Sequence, residues 1–195
     1  MSQTLAISHR IELLAAAYYL RQLRQCLGGL NDEQYAALVP VIGGSIGGHS
    51  RHMLEHYQSI LDARLNGSVC FENRSRDAKI QNHRSAALDR IRDLEVAVDE
   101  WSLALVAGEV TQGSLPCLES PLLAQTSLTG NLSEVVAIKS TFSREWIYVI
   151  LHAVHHLAII ATAARYQGLA VDPNLGRAPA TLYFEGYPIE YREQS

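Results

Sequence analysis

The sequence predicts an all-α fold, a four-helix bundle with a long loop or short extended segment before its last long helix. Apolar residues recur at helical spacing in four separate stretches of the chain. Proline and glycine gather mostly between those stretches. With 195 residues, 48% hydrophobic and 18% charged, the chain has enough apolar surface for one buried core. Length favours a single domain over residues 1–195.

The first helix is expected from about Ser8 to Leu27, with Ile7, Ile11, Leu14 and Tyr18 at helical spacing and Gly28-Gly29 as its stop. The second should run from Ser45 to near Leu65, ahead of Asn66-Gly67. Its charged residues Arg51, Glu55 and Asp62 fall on one side, and Ile46, Met53, Tyr57 and Ile60 on another. A third has the cleanest pattern: Ile80, Ala87, Ile91, Leu94, Val98, Trp101 and Leu105, ending before Gly108. The last is expected from Thr141 to Gln167, stopped by Gly168. The segment from Val110 to Ser140, rich in Ser, Thr, Gly and Pro, reads as a loop or small extended elements, with VVAI as a β-like run. Residues 169–195, which contain Pro173, Pro179 and Pro188, read as an irregular tail wrapped over the surface.

Composition narrows function by exclusion. A net charge of −4 argues against a nucleic-acid binder that neutralises phosphates. Cys26, Cys70 and Cys117 are an odd number without CxxC spacing, so free thiols in a reducing, cytoplasmic setting are expected. Buried small hydrophobes are their simplest reading. The opening MSQTLAISHRIELL lacks the basic and apolar regions of a signal peptide. Ile147 to Ala164 carries no formal charge and reaches the lower length of a membrane span. Its three histidines and the absence of a second such stretch favour a buried bundle helix over a membrane segment.

Six of the eight histidines lie in two groups. The second helix carries His49, His52 and His56 (GGHSRHMLEHY), and the last carries His152, His155 and His156 (LHAVHH). Residues three or four apart share a helix face, so His152 and His156 can converge on one point, as can His52 with His49 or His56. Imidazole ligates zinc, nickel, copper and iron. Three neutral imidazoles would leave a coordination position open for water or substrate. The competing reading is a set of core histidines satisfied by hydrogen bonds. The helical wheel puts His49 and His56 nearer the apolar side of the second helix than His52, and sets His155 off from the His152–His156 pair. His9 and His83 are isolated and read as surface or locally bonded residues.

The stretch SIGGHSRHMLEHY resembles the second-helix motif of the DinB-like (DinB/YfiT) superfamily, in which a glycine precedes the ligand histidine by five positions, as Gly47 precedes His52. HAVHH is similar to that superfamily's HxxxH pair, carried here by His152 and His156. ENRSRD at Glu72 to Asp77, STFSREWIYVILHAVHH and GRAPATL resemble one uncharacterised branch, and the likeness covers nearly the whole chain. The resemblance implies a DinB-like four-helix bundle whose metal ligands are His52, His152 and His156, against the wheel's preference on the second helix. It implies a divalent transition metal (zinc, nickel or iron) and, as in some relatives, a low-molecular-weight thiol such as mycothiol or bacillithiol. His49, His56 or His155 could supply a fourth ligand or orient the others.

The leading expectation is a metal-dependent enzyme, of thiol S-transferase or hydrolase type, acting on a small molecule, with no catalytic residue assigned. Arg51, Arg74, Arg76 and Arg144 are candidates to bind an anionic substrate, against the commoner role of surface salt bridges. The alternative is a non-enzymatic, stress-related metal-binding bundle. Neither a nucleic-acid nor a membrane partner is expected, and pairing as a homodimer is compatible with the composition.

Overall fold

The computed structural model describes residues 10–109, 115–131 and 133–191. Its frame is four long helices: α1 (Ile11–Gly28), α3 (Ile46–Asn66), α5 (Arg84–Ala107) and α6 (Phe142–Tyr166). Short helices α2 (Asp32–Ala36), α4 (Ala78–Asn82) and α7 (Pro179–Phe184) decorate the connections and the tail. Helix α1 packs on α5 and α6, and α3 packs on the same two, which closes the bundle. The core it encloses includes Leu13, Leu20, Tyr57, Ile60, Trp101 and Trp146, all buried. Each large apolar side chain removed from water contributes about 1.5–3 kcal/mol, so these residues dictate which helix faces meet.

The fold is not purely all-α, because among the described residues five short strands accompany the helices. Strands β1 (Leu38–Val39) and β2 (Gly44–Ser45) pair antiparallel ahead of α3. Strand β3 (Ser68–Cys70) leaves the end of α3 and pairs parallel with β4 (Pro121–Thr126). β4 pairs antiparallel with β5 (Val136–Thr141), which runs straight into α6. The extended run around VVAI is thus β5, and its partner β4 comes from the same segment, whose Ser, Thr and Pro content hides strands from periodicity. The sheet joins the chain just after α3 to the chain just before α6, the two helices that carry the histidines.

Capping explains several boundaries. Ser45 accepts a hydrogen bond from the Gly48 amide at 3.0 Å and starts α3. Thr141 accepts from the Arg144 amide at 3.2 Å and starts α6. The third expected helix is two, because His83 takes extended dihedrals (φ −125°, ψ 111°) between α4 and α5. Ile80 therefore packs from α4, while Ala87 to Trp101 pack from α5. The first helix also turns differently from expectation. Ile11 is exposed, and the buried face runs through Leu13, Ala16, Leu20, Leu23 and Leu27. Ile7, Ser8 and His9 lie outside the described residues. Residues 169–191 are irregular apart from α7, which is begun by Pro179 at its first turn.

Two glycines are required by close approach. A Cβ on Gly47 would meet the Gln81 carbonyl at 2.0 Å and the Tyr35 ring at 2.7 Å, so only glycine lets α4 and α2 lie against the start of α3. Gly176, at φ +75°, would meet the backbone of Ala158 at 2.1 Å, so the GRAPATL segment presses the tail onto α6 just beyond His156. Helix α6 is long and apolar enough by composition to cross a membrane, but 56% of its apolar window is buried inside the fold, as in a bundle's core helix.

Candidate metal centre

Five of the six grouped histidines meet between α3 and α6. The Nε2 atoms of His52 and His152 are 3.0 Å apart, and those of His152 and His156 are 3.1 Å apart. One ring nitrogen from each of His52, His56 and His152 lies within 4.8 Å of the others, a group able to hold a metal ion. His49 joins from the first turn of α3, its Nδ1 3.0 Å from Nδ1 of His156. His155 is solvent-exposed, outside the cluster. The extra histidines are thus separated: His49 and His56 belong to the cluster, and His155 borders it. Periodicity placed His56 correctly, since it is buried at 3% exposure. His52, more accessible, still reaches the centre because α6 faces it there.

Spacing and protonation both suit a metal. Nitrogens bound at 2.0–2.1 Å around a tetrahedral ion stand roughly 3.3 Å apart, close to the two contacts through His152. Burial lowers the pKa of His52 to about 2, with Arg74 and the neighbouring histidines adding to the effect. Burial likewise lowers His56 and His156 to about 3 and His152 to about 4. Each imidazole is therefore neutral near pH 7 and keeps one lone pair free to ligate. His56 Nδ1 lies 2.9 Å from the His52 carbonyl. A carbonyl only accepts, so Nδ1 carries the proton and the Nε2 lone pair is left free.

Aromatic rings border the cluster. Phe71 stacks on His56 with centroids 5.2 Å apart, and Tyr148 stacks on His152 at 5.8 Å. Phe71 and Tyr148 touch each other at 4.9 Å.

Residues 72–77, ENRSRD, fold over the site. Thr126 on β4 donates to Glu72 at 2.7 Å and holds one end of the loop. Glu55 holds the other, accepting from the Asp77 amide at 2.9 Å and the Ser75 hydroxyl at 3.3 Å. Arg76, at φ 51°, makes the left-handed bend between them. Arg74 then points inward, its Nη1 2.5 Å from His52 Nδ1 and 3.2 Å from His56 Nδ1. Glu55, grouped by the sequence with Arg51 and Asp62 on one side of the helix, is buried at 5% exposure, while Arg51 is half-buried and Asp62 exposed. Its signal was its position three residues after His52, on a flank of the same face.

The other arginine candidates lie elsewhere. Arg144 is exposed and bonds Glu145 at 2.8 Å while lying over the Tyr148 ring. Arg76 is exposed, and its guanidinium donates to the Glu72 carbonyl at 3.5 Å. Arg51 is half-buried on α3. The cysteines are all free: Cys26 is buried as expected, Cys70 is half-buried, and Cys117 is exposed, contrary to the buried reading.

No family model and no solved structure matches the chain. It is 30% identical over 112 residues to FK506-binding protein 5 of Rhizopus delemar, a stretch that is 57% of this chain and 26% of that relative. The chain thus spans about a quarter of the relative's length, and what that name says of binding belongs to that protein alone.

Proposed function

We propose that this chain is a DinB-like metal-binding bundle in which His52 on α3 and His152 and His156 on α6 hold one divalent transition ion. The observation that carries the reading is the pair of Nε2 contacts through His152, 3.0 Å to His52 and 3.1 Å to His156, among imidazoles kept neutral by burial. His56 stands close enough to His52 and His152 to close a fourth position. His49 orients His156 through the ring nitrogen that faces away from His152. Zinc, nickel and iron all suit an all-imidazole set.

The reading extends to a metal-dependent enzyme, of thiol S-transferase or hydrolase type, acting on a small molecule in the cytoplasm. A bound ion supplies Lewis acidity that promotes deprotonation of a thiol or water. The chain's own part is to hold neutral ligands, to wall one side with Phe71 and Tyr148, and to bring a cation close to the ligand histidines through Arg74. A closed four-histidine sphere would instead favour the non-enzymatic, structural role.

Elemental analysis of tag-free protein tests the site. About one ion per chain is expected, lost in His52→Ala, His152→Ala and His156→Ala and retained in His56→Ala. Retention in His156→Ala with loss in His56→Ala would exchange the third ligand. A metal-free wild type that takes up no zinc, nickel or iron would end the proposal.

A further inference from the structure

We infer that Arg74 is the anion-binding residue of this site and that, with a metal on the histidines, it clamps the carboxylate of a small organic ligand. This rests on the metal reading above and deepens it.

A guanidinium has donors only and cannot be a metal ligand. The fold nevertheless places this one against the ligand histidines, its Nη1 2.5 Å from His52 Nδ1 and 3.4 Å from His52 Nε2. Its placement is built rather than incidental. The side chain is 14% exposed, and Nε lies 4.0 Å from the carboxylate of the buried Glu55. Both Arg74 Nε and Glu55 Oε2 are buried without a hydrogen-bond partner, so Glu55 backs the guanidinium as a counter-charge while its other oxygen grips the loop.

Metal binding and the present contact exclude each other. Arg74 donates to His52 Nδ1, which forces the His52 proton onto Nε2. Ligation through Nε2 moves that proton to Nδ1, where a guanidinium cannot accept it. Arg74 then loses its acceptor on His52 and stands beside a like charge. An anion lying between ion and guanidinium removes both penalties. A carboxylate fits best, because its two oxygens can divide between the metal and the planar fork of the arginine. Tyr148, 37% exposed and stacked on His152, offers the ligand's body an adjoining surface.

The test is the apparent affinity for cobalt(II), followed by its visible absorption, with and without saturating acetate. Wild type, Arg74→Met, Arg74→Lys and the exposed control Arg76→Met would be compared after circular dichroism shows equal folding. Linkage makes acetate tighten cobalt binding, about tenfold in wild type and Arg76→Met. The gain should fall below about twofold in Arg74→Met and be partly restored by Arg74→Lys. Without acetate, Arg74→Met should bind cobalt more tightly than wild type, since a competing charge is gone. Equal acetate enhancement in wild type and Arg74→Met would overturn the inference, as would loss of cobalt from a folded Arg74→Met. Failure of wild type to bind cobalt, zinc, nickel or iron would fell the metal reading itself, a result distinguishable from both.

Discussion

The two histidine helices bring the same side chains to the site by different angular arrangements. At about 100° per residue, His49, His52 and His56 on α3 span an arc of roughly 60°, with His56 in the middle. His152, His155 and His156 on α6 span roughly 100° by the same measure, with His152 in the middle. The narrow arc puts all three α3 histidines in the cluster, the central one most deeply buried. The wide arc sends one flank, His156, into the protein and the other, His155, into solvent. Equal numbers of histidines thus give unequal numbers of cluster members, and the comparison shows that arc width, more than histidine count, sets which residues a second helix can reach.

The strongest way to break this comparison is to remove the residue both helices share. His152→Ala deletes the nitrogen that contacts His52 and His156, and bound metal should fall from about one per chain to a level elemental analysis does not detect. His155→Ala should leave metal content unchanged; a matching loss would mean that the wide arc does not exclude its outer flank.

A second effect concerns acid. In the unfolded chain the cluster histidines take up protons near pH 6.5, whereas in the fold His52, His56, His152 and His156 do so only at about 2, 3, 4 and 3. The folded pKa values are depressed, so the unfolded state binds more protons between those limits. Their stabilisation of the fold is complete above pH 6.5 and is lost as pH falls toward the folded values. Metal-free protein should take up roughly four protons on unfolding at pH 5, read as a falling urea midpoint below pH 6.5. A midpoint flat from pH 7 to 4 would show that these rings are solvated.

Gly47→Ala sharpens the α3 side. Alanine ordinarily favours a helix interior over glycine by about 1 kcal/mol. Here its Cβ would sit 2.0 Å from the Gln81 carbonyl, so a net loss of about 1–3 kcal/mol is expected by chemical denaturation. A stabilised variant would mean that α4 yields easily at Gln81.

Glu55→Gln should cost about 1–2 kcal/mol, because the charge that backs Arg74 and accepts from Ser75 and Asp77 is gone. Faster proteolysis between residues 72 and 77 should accompany it, and unchanged cleavage would detach Glu55 from the loop. The smallest effect is on stability in His155→Ala, within about 0.5 kcal/mol of wild type by the same unfolding assay, as befits an exposed position.

Much of this molecule is legible in its residues. The four long helices follow from apolar spacing, and Ser45, Thr141, Gly67 and Gly108 mark their ends by capping and left-handed turns. The six grouped histidines are evident from spacing alone, because 3.6 residues per turn decides which side chains of one helix share a face. Periodicity within a helix says nothing about what lies opposite it. Only the packing of α6 on α3 pairs His52 with His152 and His49 with His156, since those partners are more than ninety residues apart in the chain. The sheet β3–β4–β5 is likewise a product of long-range pairing: β5 shows in the VVAI run, but its pairing with β4, and that of β4 with β3, does not. Spacing groups Glu55 only with Arg51 and Asp62, and Arg74 is one of four candidate arginines, until the ENRSRD loop folds onto Glu55 and aims Arg74 at His52. Local spacing determined the helices and the histidine faces; the tertiary structure decided which nitrogens meet and which charge stands beside them, because those depend on contacts that only form when distant segments pack.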